Sequence, residues 1–311
     1  MGMNISSLPA LMGLFDLAVN TYQHEKGLIG IDTGYRYVDK KPTEEYAVRV
    51  HFFDRDPDTL EKPSGGDEIQ LLIYPLVKQP NPASIHSWSR YQSKLRPGFS
   101  FGCLHGRGSI GLLGRDTKVR NRPAMLSCQH LFLDCRGRSP RVYQPPGRNL
   151  VTRDIGFWQR RLSNSDAAII HIKPKLRARS TSNRVIIGPY NKAITIKKLR
   201  EVQIGDILMK AGSSTGITQA KVDGIGLYYP NTNGLPFSVP CFRLTPVKMA
   251  DPTQRNIAAR GDSGAIWFDP QSGEGVGLHI AGNVNKDVSA QFAYALHLKQ
   301  VCDEIGFVPN P

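Results

Sequence analysis

Cysteine is scarce in this sequence and lacks metal-binding spacing. The chain has no Cys-x-x-Cys pair, and its five cysteines are Cys103, Cys128, Cys135, Cys241 and Cys302. An odd number without paired spacing argues against a zinc site and against a complete disulfide framework. We therefore expect no metal, no cofactor and a reducing, cytoplasmic environment.

Long hydrophobic runs are also missing. No apolar run approaches the roughly 18 residues that would cross a membrane. The apolar stretch Leu8 to Val19 follows no basic region and is interrupted by Asp16, so it does not have the pattern of a signal peptide. We expect no membrane partner.

Acidic residues are outnumbered by basic ones. The chain has 26 Asp plus Glu against 40 Lys plus Arg, which gives a net charge of +14. Such a surface attracts acidic proteins or nucleic acid. A basic stretch covers residues 173–200, but Tyr190 is its main candidate for stacking on a base. A solvated basic face is the default interpretation, an acidic protein partner or a nucleic acid is the alternative, and a homo-oligomer is left open.

The pattern of apolar residues changes near residue 95. Residues 8–25 repeat apolar positions at offsets of three and four, which predicts a helix, and residues 46–52 and 69–77 have the pattern of strands. We expect a small α+β extension with a linker over residues 1–94. From 95 to 311 many short strand patterns alternate with turn residues, and residues 296–305 favour a closing helix. The sequence therefore predicts a mostly β domain, a barrel or a sandwich.

The strongest local signal is Arg-Gly-Asp-Ser-Gly-Ala at 260–265, followed by an apolar strand pattern. A serine hydroxyl becomes a strong nucleophile only when a base removes its proton and backbone donors receive the developing oxyanion. Ser263 is the candidate nucleophile, and the N–H groups of Gly261 and Ser263 are the candidate oxyanion hole. The competing interpretation is a surface turn rich in small polar residues.

A histidine upstream of Ser263 is the candidate for the base that the nucleophile needs. The segment Met125 to Phe132 carries an apolar strand into His130, and it resembles the strand and histidine of trypsin-like peptidases. The resemblance implies that His130 is the general base. Asp166, which precedes a small-apolar strand pattern, resembles the aspartate that orients the base in that family. Asp154 is the competitor, but the strand pattern after it is shorter.

Other segments extend the resemblance over most of the chain. Residues 95–102, 108–111, 210–216 and 277–282, together with 34–37 and 43–48, resemble bacterial trypsin-like proteins akin to the plant narrow leaf protein. The resemblance implies a chymotrypsin-like double β-barrel with the His130, Asp166 and Ser263 triad between the barrels, preceded by the α+β extension.

Four positions near the nucleophile allow a prediction of the substrate side chain that the protein prefers. Ile257 lies where trypsins carry an acidic residue, so a preference for Lys or Arg is not expected. His279 and Gly282 lie on the segment that the resemblance assigns to the primary pocket. With Arg260, the His279 imidazole could bind an acidic substrate side chain. The alternative is that Arg260 points to solvent and His279 packs in the barrel.

Asp262 bears on whether the protein needs N-terminal cleavage to become active. In secreted trypsin-like zymogens the aspartate before the catalytic serine pairs with an amino terminus that cleavage creates. Here a long extension precedes the domain, so we expect Asp262 to pair with a basic side chain or to cap the turn, without N-terminal processing.

Three functions follow from these observations. The sequence favours a serine endopeptidase that cleaves a protein substrate through an acyl-enzyme on Ser263. The second is a binding or assembly protein that keeps the peptidase fold with little turnover. The third, a basic nucleic-acid-binding protein with an incidental triad, has the least support.

Overall fold

The computed structural model describes residues 8–39, 41–66, 68–74, 94–103, 106–133, 140–146, 153–173, 182–188, 192–228, 239–247, 256–282 and 292–311. Within these ranges the fold is mostly β, as predicted, with two α-helices and two large sheets. No helix in this part of the chain is long and apolar enough to span a membrane.

The N-terminal extension forms a helix packed on a sheet. Its elements are α1 (Leu8–Tyr22), β1 (Leu28–Val38), β2 (Lys41–Phe53) and β3 (Gln70–Tyr74). The buried face of α1 includes Ala18 and Tyr22, and the Tyr22 ring meets the edge of Phe52 at 5.9 Å. Strand β1 was not predicted. The predicted linker lies largely outside the described residues.

The first lobe is an open, curled sheet. Its strands are β4 (Ser100–Gly102), β5 (Arg107–Ser109), β6 (Leu113–Asp116), β7 (Arg122–Cys128), β8 (Arg141–Gln144), β9 (Arg153–Arg161) and β10 (Ala167–Ile172). All six residues of β10 are buried, because it lies between β7 and β9 in the sheet. A hairpin of β11 (Arg184–Ile186) and β12 (Ala193–Thr195) follows.

The second lobe is a closed barrel. Its strands are β13 (Ile207–Gly212), β14 (Gly216–Tyr228), β15 (Cys241–Pro246), β16 (Ile266–Phe268), β17 (Gly275–Gly282) and β18 (Ala293–His297). The sheet order β13-β16-β17-β18-β15-β14 is closed by pairing of β13 with β14. One wall of this barrel, β17, reaches the nucleophile turn.

The chain then returns from the second lobe to the first. Helix α2 (Leu298–Ile305) follows β18, and β19 (Phe307–Pro309) pairs antiparallel with β6. Helix α2 ends at Gly306, whose φ of +74° is in the left-handed region that glycine adopts at low cost. The predicted closing helix is confirmed, and β19 ties it to the first lobe.

The extension is continuous with the second lobe. Strand β1 pairs with the far end of β14, so β1, β2 and β3 prolong the sheet of the barrel. A buried ion cluster reinforces the junction. The Arg49 guanidinium binds Asp32 through two hydrogen bonds of 2.7 Å and reaches Asp223 of β14 at 3.0 Å. The Arg49 side chain is fully buried.

Candidate active site

Ser263 lies in a tight turn held between the two lobes. Its carbonyl oxygen accepts the N–H of Ser109 in β5 at 2.8 Å, and the N–H of Gly264 donates to the His279 carbonyl in β17 at 2.8 Å. Gly264 has a φ of +93°, and a Cβ there would lie 2.0 Å from the hydroxyl oxygen of Ser127. The turn therefore requires glycine at this position.

His130 and Asp166 lie at neighbouring ends of two paired strands in the first lobe. Strand β7 runs into His130, strand β10 follows Asp166, and Cys128 pairs with Ala167 across the sheet. The backbone N–H of His130 donates to Asp166 Oδ1 at 2.8 Å, and His130 Nδ1 lies 2.6 Å from Asp166 Oδ2. Two hydrogen bonds to one carboxylate thus fix the imidazole plane.

The imidazole connects the carboxylate to the serine. His130 Nε2 lies 3.0 Å from Ser263 Oγ. Because a carboxylate accepts only, Nδ1 carries the proton toward Asp166 and leaves Nε2 free to accept from the serine hydroxyl. Burial lowers the pKa of His130, but the charge of Asp166 and its hydrogen bond outweigh burial, and the pKa is raised.

Asp154, the alternative orienting residue, has other partners. Its carboxylate lies 2.7 Å from the Lys173 ammonium and 3.3 Å from the Arg141 guanidinium. The structure therefore brings Asp166, and not Asp154, to His130.

The peptide planes beside Ser263 are held by serine hydroxyls. Ser214 donates to the Arg260 carbonyl at 2.6 Å, and Ser109 and Ser213 donate to the Gly261 carbonyl at 2.8 and 2.7 Å. The N–H of a trans peptide points opposite to its carbonyl. The Gly261 N–H therefore points away from Ser214, and the φ of +104° at Gly261 sustains this geometry.

The second candidate oxyanion donor is oriented in the same way. The Asp262 carbonyl accepts the N–H of Ala265 at 2.9 Å, which turns the N–H of Ser263 to the opposite side. Among the described residues, no backbone or side-chain acceptor is bonded to the N–H of Gly261 or Ser263. Both donors are thus available to a bound oxygen.

Asp262 is buried and fully bonded. Its carboxylate binds the Lys210 ammonium at 2.8 Å and the Thr215 hydroxyl at 2.7 Å, and it accepts the N–H groups of Ser214, Thr215 and Ala259 at 2.9 to 3.1 Å. Burial raises the pKa of Asp262, but Lys210 and the hydrogen bonds outweigh it and lower the pKa. The carboxylate is therefore ionised.

Lys210 is the basic partner that the sequence left unidentified. Its side chain is 0% exposed and its ammonium lies 5.4 Å from the centre of the Trp267 ring. A Cβ on Gly212 would lie 2.3 Å from Asp262 Oδ1, so glycine leaves room for this carboxylate. Lysine is almost never buried without a partner. The available signal was the Lys-Ala-Gly-Ser-Ser-Thr-Gly segment at 210–216.

The residues predicted to form the primary pocket lie in different environments. Ile257 is fully buried in the barrel core, Arg260 is exposed, and Gly282 at the end of β17 is half-buried. A Cβ on Gly282 would lie 2.6 Å from the Ala258 methyl, so these two walls face each other closely. Ile257 and Ala258 therefore pack in the core of the second lobe, behind the half-buried Gly282.

His279 does not supply a positive charge. Its side chain is buried, and Trp267 Nε1 donates to His279 Nδ1 at 3.4 Å. Burial and the nearby Lys210 ammonium lower the pKa of His279 to about 3. The imidazole is neutral at pH 7, which agrees with the alternative that His279 packs in the barrel rather than forming a cationic pocket with Arg260.

A metal ion does not fit the one suitable cluster in the described part of the chain. Cys128, His130 and Asp166 offer ligand atoms within 4.8 Å of one another. Burial and the charge of Asp166 raise the pKa of the Cys128 thiol well above its usual value. The thiol donates to the His279 carbonyl at 3.1 Å, and a protonated thiol is a poor ligand.

Bacterial serine proteases are among the solved structures that share this arrangement of lobes. Nocardiopsis protease (NAPase) matches with a TM-score of 0.52 and 15% identity over 70% of this chain and 99% of that protein. Thermobifida fusca Protease A matches with a TM-score of 0.51 and 16% identity over 69% and 97%. This chain has the chymotrypsin-like fold of serine peptidases.

A third match is described as a glutamic acid specific serine protease that uses a histidine triad in substrate binding. Its TM-score is 0.52, with 15% identity over 69% of this chain and 99% of that protein. No family model and none of the curated proteins matches the chain. At these identities the likeness establishes the chymotrypsin-like fold alone.

Proposed function

We propose that this protein is a serine endopeptidase that forms an acyl-enzyme on Ser263. The observation that carries the proposal is the continuous hydrogen-bonded series from Asp166 through His130 to the Ser263 hydroxyl. In this mechanism His130 takes the serine proton as the oxygen attacks a peptide carbonyl. It then gives the proton to the leaving amine, and water hydrolyses the ester by the same route.

The N–H groups of Gly261 and Ser263 would bind the oxyanion. Their orientation is set before substrate arrives, because the carbonyls of the same peptides are already bonded. Fixed donors stabilise developing charge without reorganising, and removal of one such donor costs roughly 10²–10³ in kcat. A binding protein that retained this fold would have no need for two unbonded donors beside an activated serine.

Lys210 would make activity independent of N-terminal processing. A buried carboxylate before the nucleophile must be compensated, or the turn will rearrange. Here the compensating ammonium comes from β13 of the same lobe. The intact chain therefore has its nucleophile turn already formed.

Substrate preference follows from the lining on the β17 side. Gly282 at the half-buried end of β17 offers no charge, and His279 is neutral. We expect a small apolar residue before the cleaved bond. Trypsin-like cleavage after Lys or Arg is not expected, because these residues offer the cation no carboxylate.

Labelling with a fluorophosphonate probe tests the nucleophile. The intact, mass-verified protein should be labelled, Ser263→Ala should not, and Ser272→Ala, a change at an exposed turn serine, should label like the wild type. Equal labelling of Ser263→Ala would refute the assignment. A folded wild type that neither labels nor cleaves a peptide library would favour the binding-protein alternative.

A further inference from the structure

Arg107 is a guanidinium without a carboxylate partner beside the nucleophile turn. It lies on β5, and within the described residues it forms no ion pair. Its Nε atom is buried and has no hydrogen-bond partner in the part of the chain that the structure describes. The hydrogen bond that Arg107 does form is long, 3.4 Å from the terminal nitrogen to the hydroxyl oxygen of Ser214. A buried donor without an acceptor carries a free-energy cost, so this position needs an explanation.

The guanidinium lies directly against a candidate oxyanion residue. The Cβ position of Gly261 is 3.4 Å from Arg107 Nε. Ser214, which Arg107 contacts, donates to the carbonyl of Arg260, whose exposed side chain is a second cation at this rim. Arg107 therefore lies beside the segment that leads into Ser263, and this segment includes a second, exposed arginine.

The backbone bonds of the turn show on which side Arg107 lies. Gly264 is bonded to β17 through His279, whereas Ser263 is bonded to β5 through Ser109. The Gly264 N–H and the Ser263 carbonyl belong to one peptide and point in opposite directions, so β17 and β5 lie on opposite sides of the peptide that follows Ser263. If the acyl part of a substrate follows β17, as the proposed function requires, the leaving-group part passes β5 and Arg107.

We infer that Arg107 selects substrates with an acidic side chain in the first two residues after the cleaved bond. This inference rests on the proposed endopeptidase function and names its substrate class. A Glu or Asp carboxylate would accept charge-assisted hydrogen bonds from the guanidinium, whose planar fork matches a carboxylate. The carboxylate would also satisfy the unpartnered Nε.

The test compares internally quenched peptides that differ only at these two positions. Each position carries Glu, Gln or Lys in turn, and kcat/KM is measured in the same enzyme sample, so the amount of active enzyme cancels in each ratio. At one of the two positions we expect a Glu over Gln preference of about tenfold, the size of a charged hydrogen bond in a partly wet site. Raising the salt concentration should reduce it.

Two variants assign the preference to this side chain. In Arg107→Gln the Glu over Gln ratio should fall to about one, and in Arg107→Glu the Lys peptide should become preferred. Arg115→Gln, which removes an exposed arginine from β6, should keep the wild-type ratio. A purely structural role for Arg107 would change all peptides alike. A wild-type ratio near one at both positions, or an unchanged ratio in Arg107→Gln, would overturn the inference.

A binding measurement separates this inference from the proposed function. Ser263→Ala cannot form an acyl-enzyme, but it keeps Arg107, so fluorescence anisotropy with the Glu and Gln peptides reports recognition alone. Tighter binding of the Glu peptide, lost in the double variant with Arg107→Gln, would support the inference even if the wild type turned nothing over. Equal binding of both peptides would count against it, whether or not the wild type is a peptidase.

Discussion

The protonation state of His130 controls the proposed chemistry. Only the neutral imidazole can accept the serine proton, and Asp166 makes the charged form more stable by its carboxylate and hydrogen bond. Activity should therefore rise with pH through the raised pKa of His130. The same interaction stabilises the imidazolium that forms during attack.

Replacing the orienting carboxylate should change both rate and pH profile. In Asp166→Asn the pKa of His130 should fall, because its charge partner is gone, and the acidic limb of kcat/KM should move to lower pH. The rate should drop roughly 10³–10⁴-fold, since the amide favours the wrong tautomer. A pH–rate profile measures both effects. Asp154→Asn is the matched control, and an equal loss in that variant would contradict the assignment of Asp166.

Removing the buried ammonium should collapse the nucleophile turn. In Lys210→Met the Asp262 carboxylate stays buried without its charge partner, a change that costs about 3–5 kcal/mol in other proteins. We expect a loss of fluorophosphonate labelling of at least tenfold, with secondary structure retained by circular dichroism. Lys299→Met, at an exposed position in α2, should label normally. Full labelling of Lys210→Met would show that the turn is held by its other hydrogen bonds.

At the scale of elements, β1 and β2 belong to the extension but also stabilise the second lobe. Arg49 on β2 binds Asp32 on β1 and Asp223 on β14, so one guanidinium joins three strands. Gly34 and Gly224 leave the space it occupies, since a Cβ on either would lie within 2.4 Å of its terminal nitrogen. The extension and the barrel should therefore unfold together.

This junction can be tested by removing its single shared cation. Arg49→Met would leave Asp32 and Asp223 buried with reduced compensation, and we expect a loss of about 3–5 kcal/mol in the free energy of unfolding. Urea denaturation with far-UV circular dichroism measures it. Arg36→Met, which breaks only a partly exposed pair with Glu45, should cost under about 1 kcal/mol. Similar losses in both variants would contradict a cooperative junction.

Local patterns explain which elements could be predicted from the sequence. Strand β10 and helix α2 carry patterns that neighbours along the chain determine. Strand β1 does not: its glycine at 34 and its run of buried residues from 29 to 32 reflect Arg49 and β14, which lie far away in the sequence. A strand buried on both faces shows no alternation.

The same limit applies within the candidate site. Ser263 and His130 stand in short motifs, so the local sequence indicated them. The pairing of Lys210 with Asp262 could not be read in this way, because lysine is ordinarily exposed and the two residues meet only when the barrel closes. The neutrality of His279 depends on burial, which the local pattern left as one of two alternatives.

At the scale of the whole molecule, the C-terminal segment holds the lobes together. Arg160 of β9 donates to the Ile305 carbonyl at 2.7 Å, and the Lys118 ammonium donates to the Glu304 carbonyl at 2.8 Å. These bonds satisfy carbonyls at the end of α2 that have no partner within the helix. Since His130 and Ser263 belong to different lobes, this attachment bears on their alignment.

A methyl group at the β6–β19 contact should weaken this attachment. A Cβ on Gly114 would lie 2.2 Å from the Val308 carbonyl oxygen, so Gly114→Ala should displace β19 and cost about 1–3 kcal/mol, as overpacking does elsewhere. Denaturation curves followed by circular dichroism and by labelling of Ser263 should both shift to lower urea. Gly13→Ala, where a methyl meets open space, should shift neither downward. An unshifted curve for Gly114→Ala would show that β19 contributes little.

The return of β19 to β6 also sets an order of events during synthesis. The ribosome makes β6 early and its partner β19 only after every strand of the second lobe. The first lobe therefore cannot complete its sheet until the serine-bearing lobe has emerged. A nascent chain without β19 would thus carry its nucleophile on a second lobe whose strands have all been made and its base on a first lobe that lacks one strand, and the proposed hydrolytic activity would be delayed until β19 has been made.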